Sequence, residues 1–200
     1  MSQGKTNKIA VIGHTRGIGR AIADLYSDKG YRVIGMSRSN GYDITVEQKK
    51  IVDTVRDCDL IVINAHAGRY QLNLLKSMYG RYHDHRKKVA VITSTSGTPE
   101  GRDEDFDDAD YQQYCDDKRE LIGYISELQE DLLPRTMSVY DVCPDVVDTD
   151  MTKGLWTTLP KLAPEEVAQA VSYCFESTFN INRIVIQKNA SSILGQGTGL

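Results

Sequence analysis

A phenol and an ammonium stand four residues apart in Tyr114-Cys115-Asp116-Asp117-Lys118. On a helix that spacing puts both side chains on one face, where they act together. A free tyrosine has a pKa of about 10, and a nearby cation favours its phenolate, bringing the pair toward acid–base work on a substrate oxygen. Ser94, in Ser94-Thr95-Ser96-Gly97, offers a hydroxyl that can bond the same oxygen and stabilise charge developing there, with Ser96 as its rival. A second constellation is Gly13-His14-Thr15-Arg16-Gly17-Ile18-Gly19. A glycine-lined turn ahead of a helix lets backbone N–H groups approach a pyrophosphate, and the positive end of the helix dipole favours the bound charge. Each motif alone has a plainer explanation, a surface Tyr-Lys pair or an ordinary turn. The spacing G-x-x-x-G-x-G differs from the common G-x-G-x-x-G, and without a Gly-Lys-Ser/Thr ending it is not a Walker-type phosphate loop.

The elements that must position these groups alternate. Apolar runs at residues 9–12, 31–36, 59–65, 88–93, 137–142 and 182–187 read as strands. Between them the apolar spacing predicts helices: one opening at the glycine turn and stopping at Gly30, then 45–56, a stretch reaching about 86, one from within 108–111 to about 133, and 164–177. Such alternation implies a single doubly wound α/β domain, a Rossmann-type parallel sheet of about six strands flanked by helices and joined by right-handed crossovers. The third-strand region is reduced. Too few residues separate Arg38 from Asp43 and Ile44 for the crossover that a parallel strand needs, so residues 42–44 are at most a vestigial bridge. Ligands in such sheets bind beyond the carboxyl ends of the strands, where strand order reverses. Residues 13–19, 37–38, 64–68, 94–97 and 144–151 all follow strand ends, so they are expected to converge.

Composition sets the outer limits. Two hundred residues, 40 % hydrophobic and 26 % charged, suffice for one sizeable core, and a net charge of −4 gives no field for nucleic acid or an anionic membrane. No apolar run is long enough to span a bilayer and the N-terminus lacks a signal-peptide core, so a cytoplasmic protein is expected. Cys58, Cys115, Cys143 and Cys174 are scattered without C-x-x-C, and His83 and His85 diverge on a helix, so no metal site is expected. The basic run Arg86-Lys87-Lys88 is read as offsetting the negative end of the preceding helix. Trp156 either covers a substrate or packs on the sheet. Seven of the eleven residues 100–110 are acidic, a solvated insertion or a rim that favours cationic substrates.

Taken together and in order, these motifs resemble the short-chain dehydrogenase/reductase family over most of the chain. Gly13-x-x-x-Gly17-x-Gly19 matches its cofactor turn, with Thr15, Arg16 and Ile18 between the glycines as further contacts. Asp43-Ile44 matches its adenine-side Asp, Tyr114-x-x-x-Lys118 its catalytic pair, and Pro144 with Val147, Thr149, Asp150 and Met151 its late P-G-x-x-x-T-x-M segment. Asn64-Ala65-His66-Ala67-Gly68 is similar to the family's N-N-A-G, irregularly, and assigns Asn64, Ala65 and Gly68 to the cofactor. Asp145 stands where the family has glycine after Pro144. The resemblance implies that Tyr114 exchanges a proton with the substrate oxygen, that Lys118 tunes it and holds the nicotinamide ribose, and that Ser94 binds the oxygen. It also implies that Asn73 is the helix-borne asparagine of the proton path.

An acidic residue at the end of the second strand would bind the ribose of NAD, whereas arginine accommodates the 2′-phosphate of NADP. Ser37-Arg38, joined by Arg16 with the fork geometry that suits phosphate, favours NADPH over NADH. The expected activity is a carbonyl reductase or alcohol dehydrogenase acting on a small carbonyl or hydroxyl compound. The alternative is a non-catalytic NADP-binding redox sensor or assembly protein. The resemblance further implies a homodimer or homotetramer paired through the helices at about 70–86 and 111–133.

Overall fold

Residues 9–12 are apolar at every position, and successive strand side chains point to opposite sides, so a strand built from them must be covered on both faces. The structure, a computed structural model, describes residues 7–99, 108–130 and 136–188. Six strands, β1 (Lys8–Ile12), β2 (Arg32–Met36), β3 (Leu60–Ile63), β4 (Lys88–Ile92), β5 (Ser138–Pro144) and β6 (Arg183–Ile186), form one parallel sheet in the order β2-β1-β3-β4-β5-β6. Ala10 and Ile12 join Ile61 and Ile63 in a core covered by α2 (Gln48–Thr54), α3 (Tyr70–Tyr82) and α4 (Ala109–Glu130). Ile9, Val11 and Val62 face the other way, onto α1 (Gly17–Asp28) and α5 (Pro164–Glu176). The α/β sandwich expected from the alternation is the one observed. No helix among the described residues is long and apolar enough to cross a membrane.

The sheet edge beside β2 carries no further strand. Residues 42–46 form a turn without a bridge, in which Ile44 enters the core and Asp43 Oδ1 accepts from the Thr45 backbone N–H (2.9 Å) and hydroxyl (2.8 Å). The chain turns through Arg38–Asn40, enters α2 and crosses to β3, so the order reverses between β1 and β3. Register pairs Ile12 with Ile63, Ile63 with Val91 and Ile92 with Val142. The segments after these four strands therefore emerge at one edge.

The basic run has a different role from the one expected. Lys87 is 5 % exposed, and its ammonium donates to the carbonyls of Val55 (3.2 Å), Arg56 (2.7 Å) and Cys58 (2.7 Å), closing the end of the α2 segment and not that of α3. Lys88 donates to the carbonyls of Phe175 and Ser177 at the end of α5. Lys87 immediately precedes β4 and Lys88 opens it, and adjacent residues of extended chain point to opposite faces, so each lysine serves a different layer. Lys87→Met is expected to lower stability by about 2–4 kcal/mol, because buried acceptors lose their donor. Urea unfolding tests this, and an unchanged midpoint would refute it.

Candidate active site

Gly97 brings β4 and α4 together. A Cβ there would lie 2.8 Å from the Lys118 backbone carbon and side chain, so the turn Thr95–Gly97 packs directly on α4. That approach sets Ser94, at the end of β4, against Tyr114, and the serine hydroxyl hydrogen-bonds the phenol. Ser96 faces Tyr111, whose hydroxyl donates to it at 3.4 Å. Burial pushes the Tyr114 phenol up to about 12, against the lowering effect of Ser94. This differs in sign from the expectation that a neighbouring cation pulls the phenol down. Burial is the reason, and Lys118 is buried with it: it is 3 % exposed, its Nζ lies 5.5 Å from the Tyr114 ring centroid, and it donates to Gln71 Oε1 (2.8 Å) and the Ile92 carbonyl (3.0 Å). Burial lowers the ammonium to about 8, with the nearby Asp141 carboxylate acting in the opposite direction. Asp141 is itself buried, accepting from Thr93 Oγ1 (2.5 Å) and Arg183 Nε (2.5 Å).

The glycine turn lies alongside. A Cβ on Gly19 would sit 1.9 Å from the Gly13 carbonyl oxygen, so only glycine lets α1 start this close to β1. Asn64 Nδ2 donates to that same carbonyl (3.0 Å), pinning the turn to the end of β3. Between the turn and α4 opens a cavity of about 650 Å³. Its floor holds Ser94, Tyr114 and Lys118, and its outer wall Tyr111, Met151, Leu155, Trp156 and Leu159. Trp156 adopts a left-handed backbone (φ 46°), rare for a bulky residue, and its ring centroid lies 5.8 Å from that of Tyr111.

No family model matches the chain. Among curated proteins it is similar to 3-oxoacyl-[acyl-carrier-protein] reductase FabG of Vibrio cholerae, 26 % identical over 217 aligned positions, which cover 83 % of this chain and 88 % of that one. It is also similar to carbonyl reductase family member 4 of Xenopus tropicalis, 26 % identical over 232 positions, covering 90 % and 96 %. Among solved structures, 3-alpha-hydroxysteroid dehydrogenase from Pseudomonas sp. B-0831 complexed with NADH has a TM-score of 0.75 at 17 % identity, covering 96 % of this chain and 100 % of that one. A short chain dehydrogenase from Burkholderia cenocepacia in complex with NADP gives 0.74 at 16 %, covering 95 % and 92 %. The chain thus resembles short-chain reductases in sequence over most of its length and shares the fold of the dehydrogenases among solved structures.

The candidate residues fall into several groups. Ser94, Tyr114, Lys118, Ile18, Asn64, Pro144, Val147 and Thr149 line the one cavity. Gly13, Thr15, Arg16, Gly17 and Gly19 form the turn beside it; Arg16 reaches Asp150 across 3.5 Å, an exposed pair of small energetic weight. Ser37 and Arg38 stand at the end of β2, with Arg38 exposed. Ala65 packs beside Gly13, and Gly68 faces Asp117. Asp43 and Ile44 are placed otherwise than expected: the carboxylate is bound to Thr45, which holds it below the usual range, and the isoleucine is core.

Asn73 needs correcting. It is exposed on α3 and does not line the cavity, because a two-residue step turns a helical side chain about 200° from its neighbour. Gln71 takes the inward place: its amide donates to the carbonyls of Ile63 (3.1 Å) and Ile92 (3.0 Å) while its oxygen accepts from Lys118. Two further residues, Tyr111 and His66, were given no role by sequence reasoning. Tyr111 was legible one helical turn before Tyr114, on the same face. His66 lies in the irregular strand-end segment, its ring centroid 4.9 Å from that of Tyr114. Asp145 accepts from Thr95 Oγ1 (3.1 Å) at the cavity wall. Of the acidic run, Asp108 and Asp110 line the cavity, Asp108 accepting from the backbone N–H of Asp110 and Tyr111 at the start of α4. Residues 100–107, on which most of the rim hypothesis rests, lie outside the described residues, as do residues 131–133 of the expected helix.

Proposed function

We propose that the protein is an NADPH-dependent carbonyl reductase, with Tyr114 as proton donor, Ser94 as binder of the substrate oxygen and Lys118 as the charge behind them. The observation that carries this reading is a protonated phenol, hydrogen-bonded by Ser94, on the floor of a cavity whose outer wall is apolar. A phenol with its pKa raised to about 12 is an acid at neutral pH, which suits reduction better than oxidation. The residues present fit a nicotinamide dinucleotide. The Gly13–Gly19 approach leaves room for a pyrophosphate, and the buried Nδ1 of His66 beside Tyr114 lacks a protein partner. When bound, NADPH supplies the hydride. The glycine turn and the start of α1 would hold its pyrophosphate, Arg16 and Arg38 its 2′-phosphate, and Thr149 and Val147 would lie toward its nicotinamide half. Tyr111, Leu155, Trp156 and Leu159 enclose the substrate side, favouring a carbonyl with an apolar substituent.

NADPH oxidation against a panel of aldehydes, ketones and quinones tests the activity. Tight NADPH binding without turnover of any of them would favour the sensor reading. Removing Arg16 and Arg38 together (R16A/R38A) is expected to weaken NADPH about ten-fold or more while sparing NADH, two charge-assisted contacts being lost. Wild-type affinity for NADH equal to that for NADPH would overturn the cofactor assignment. A homodimer or homotetramer paired through α3 and α4 belongs to the same proposal, and light scattering on the purified protein checks it.

A further inference from the structure

Three polar side chains stand in a row beneath α4, one from each of three neighbouring strands. Along β5, Tyr140 and Val142 face α1 and α5 whereas Val139 faces the other helices, so alternation puts Asp141 on the α4 side of the sheet. Gln129 of α4 donates to the carbonyls of Val139 (3.0 Å) and Asn182 (2.6 Å), laying the helix across β5 and the start of β6. Register sets Arg183 directly beside Asp141, and its Nε donates to Asp141 Oδ2 at 2.5 Å. On the other flank Thr93, the residue after β4, donates its hydroxyl to Asp141 Oδ1 at 2.5 Å. Thr93 is peptide-bonded to Ile92, whose carbonyl accepts from Lys118 Nζ, and both residues line the cavity. The buried carboxylate is thus hydrogen-bonded to the residue next to the anchor of the ammonium.

A buried ammonium calls for a negative charge, and the hydrogen-bond partners of Lys118 among the described residues, Gln71 Oε1 and the Ile92 carbonyl, are both neutral. The titratable groups that face it narrow the choice. Burial pushes the Tyr114 phenol up to about 12 and the Cys143 thiol up to about 11, and lowers His66 to about 4, so all three are uncharged at neutral pH. Two carboxylates remain, Asp141 from β5 and Asp117 from α4. Asp117 is the helical neighbour of Lys118, turned about 100° from it; it accepts from Gln113 Nε2 (3.2 Å) and lies toward Gly68. Asp141 is fixed in place, because Thr93 and Arg183 hold both its oxygens. We infer that Asp141 is a positioning residue of the reaction, the buried countercharge that keeps Lys118 a cation, with Arg183 setting how much of that charge reaches the site. The catalytic consequence rests on the functional reading above and adds to it a residue that lies behind the cavity wall.

Carbon NMR of the Lys118 ε-carbon, assigned by comparison with Lys118→Arg, reads the charge directly in the protein without ligand. The wild-type midpoint is expected near pH 8. Asp141→Asn is expected to lower it by about one pH unit and Arg183→Gln to raise it by about half a pH unit, because the first removes the countercharge and the second the cation that offsets it. Loss of the bridge itself cannot move the midpoint in opposite directions, so shifts of the same sign, or none, would overturn the inference. Asp117→Asn is expected to move it less than Asp141→Asn does, and the reverse order would give the role to Asp117. Arg183 is 35 % exposed, so it stays hydrated in Asp141→Asn. Should that variant fail to fold, Arg183→Gln still decides, since an unchanged or lowered midpoint there overturns the proposal. The alkaline limb of carbonyl reduction, measured on the fastest substrate of the panel above, is expected to move with the midpoint in both variants. A limb that stays while the midpoint moves would make Asp141 a structural charge and nothing more. If the wild-type chain reduces no carbonyl, the functional reading fails, and the NMR midpoints still decide whether Asp141 holds the Lys118 charge.

Discussion

Tyr114→Phe is expected to lower carbonyl turnover about a thousand-fold, within the range for loss of a positioned general acid. NADPH affinity is expected to hold, because the ring keeps its edge contact with His66 and its place over Lys118. Only the hydroxyl and its bond to Ser94 disappear. The pH dependence of the wild type follows from two raised or lowered groups. Since the phenol stays protonated up to about 12, it does not limit reduction at neutral or mildly alkaline pH. Lys118 loses its charge as pH rises through about 8, so the reduction rate is expected to fall on that alkaline limb. In the oxidative direction Tyr114 must be deprotonated, and that rate is expected to climb with pH. Turnover by Tyr114→Phe above a tenth of wild type would remove the phenol from the reaction, and a wild-type reduction rate flat from pH 7 to beyond 9 would remove the Lys118 charge.

Gln71→Leu is expected to combine a stability loss of about 2–4 kcal/mol with a fall in turnover, because its buried amide has three partners to lose. Two are the carbonyls at the ends of β3 and β4, and the third is the Lys118 ammonium. Leucine in that place leaves Lys118 more poorly solvated and moves the alkaline limb to lower pH. Gln71→Glu would move it the other way, because a carboxylate beside the ammonium favours the charged form. A Gln71→Leu variant with reduced stability but an unshifted pH profile would make Gln71 a strand-end clamp and nothing more. Asn73→Ala is the contrasting control: exposed and outside the cavity, it is expected to leave both stability and turnover near wild type.

The strand-helix order was legible because each buried strand writes its own apolar run, as residues 9–12 and 88–92 do. The glycine turn and the Tyr114–Lys118 pair were legible because their spacing is local: one loop in the first case, one turn of helix in the second. Even the missing edge strand followed from a count of residues after Arg38. What could not be read was which of several nearby polar side chains points inward. Asn73 and Gln71 differ by two positions on α3, and the helix's rotation against the sheet decides between them. The exchange of Ser94 and Ser96 between Tyr114 and Tyr111 is likewise set by the packing of Gly97 on α4.

Chemistry at this site was therefore determined in two stages. Residue types and spacings along the chain were enough to establish a doubly wound sheet, a phosphate-compatible turn, a phenol–ammonium pair and a serine to serve it. Tertiary structure alone decided the charges and the partners. Tyr114 is held protonated and not ionised, Lys118 is turned into Gln71 and the Ile92 carbonyl, and Lys87 closes a helix it does not follow. The reason is that pKa values and hydrogen-bond partners depend on burial and on side chains distant in sequence, and folding brings those together without any local pattern to announce them.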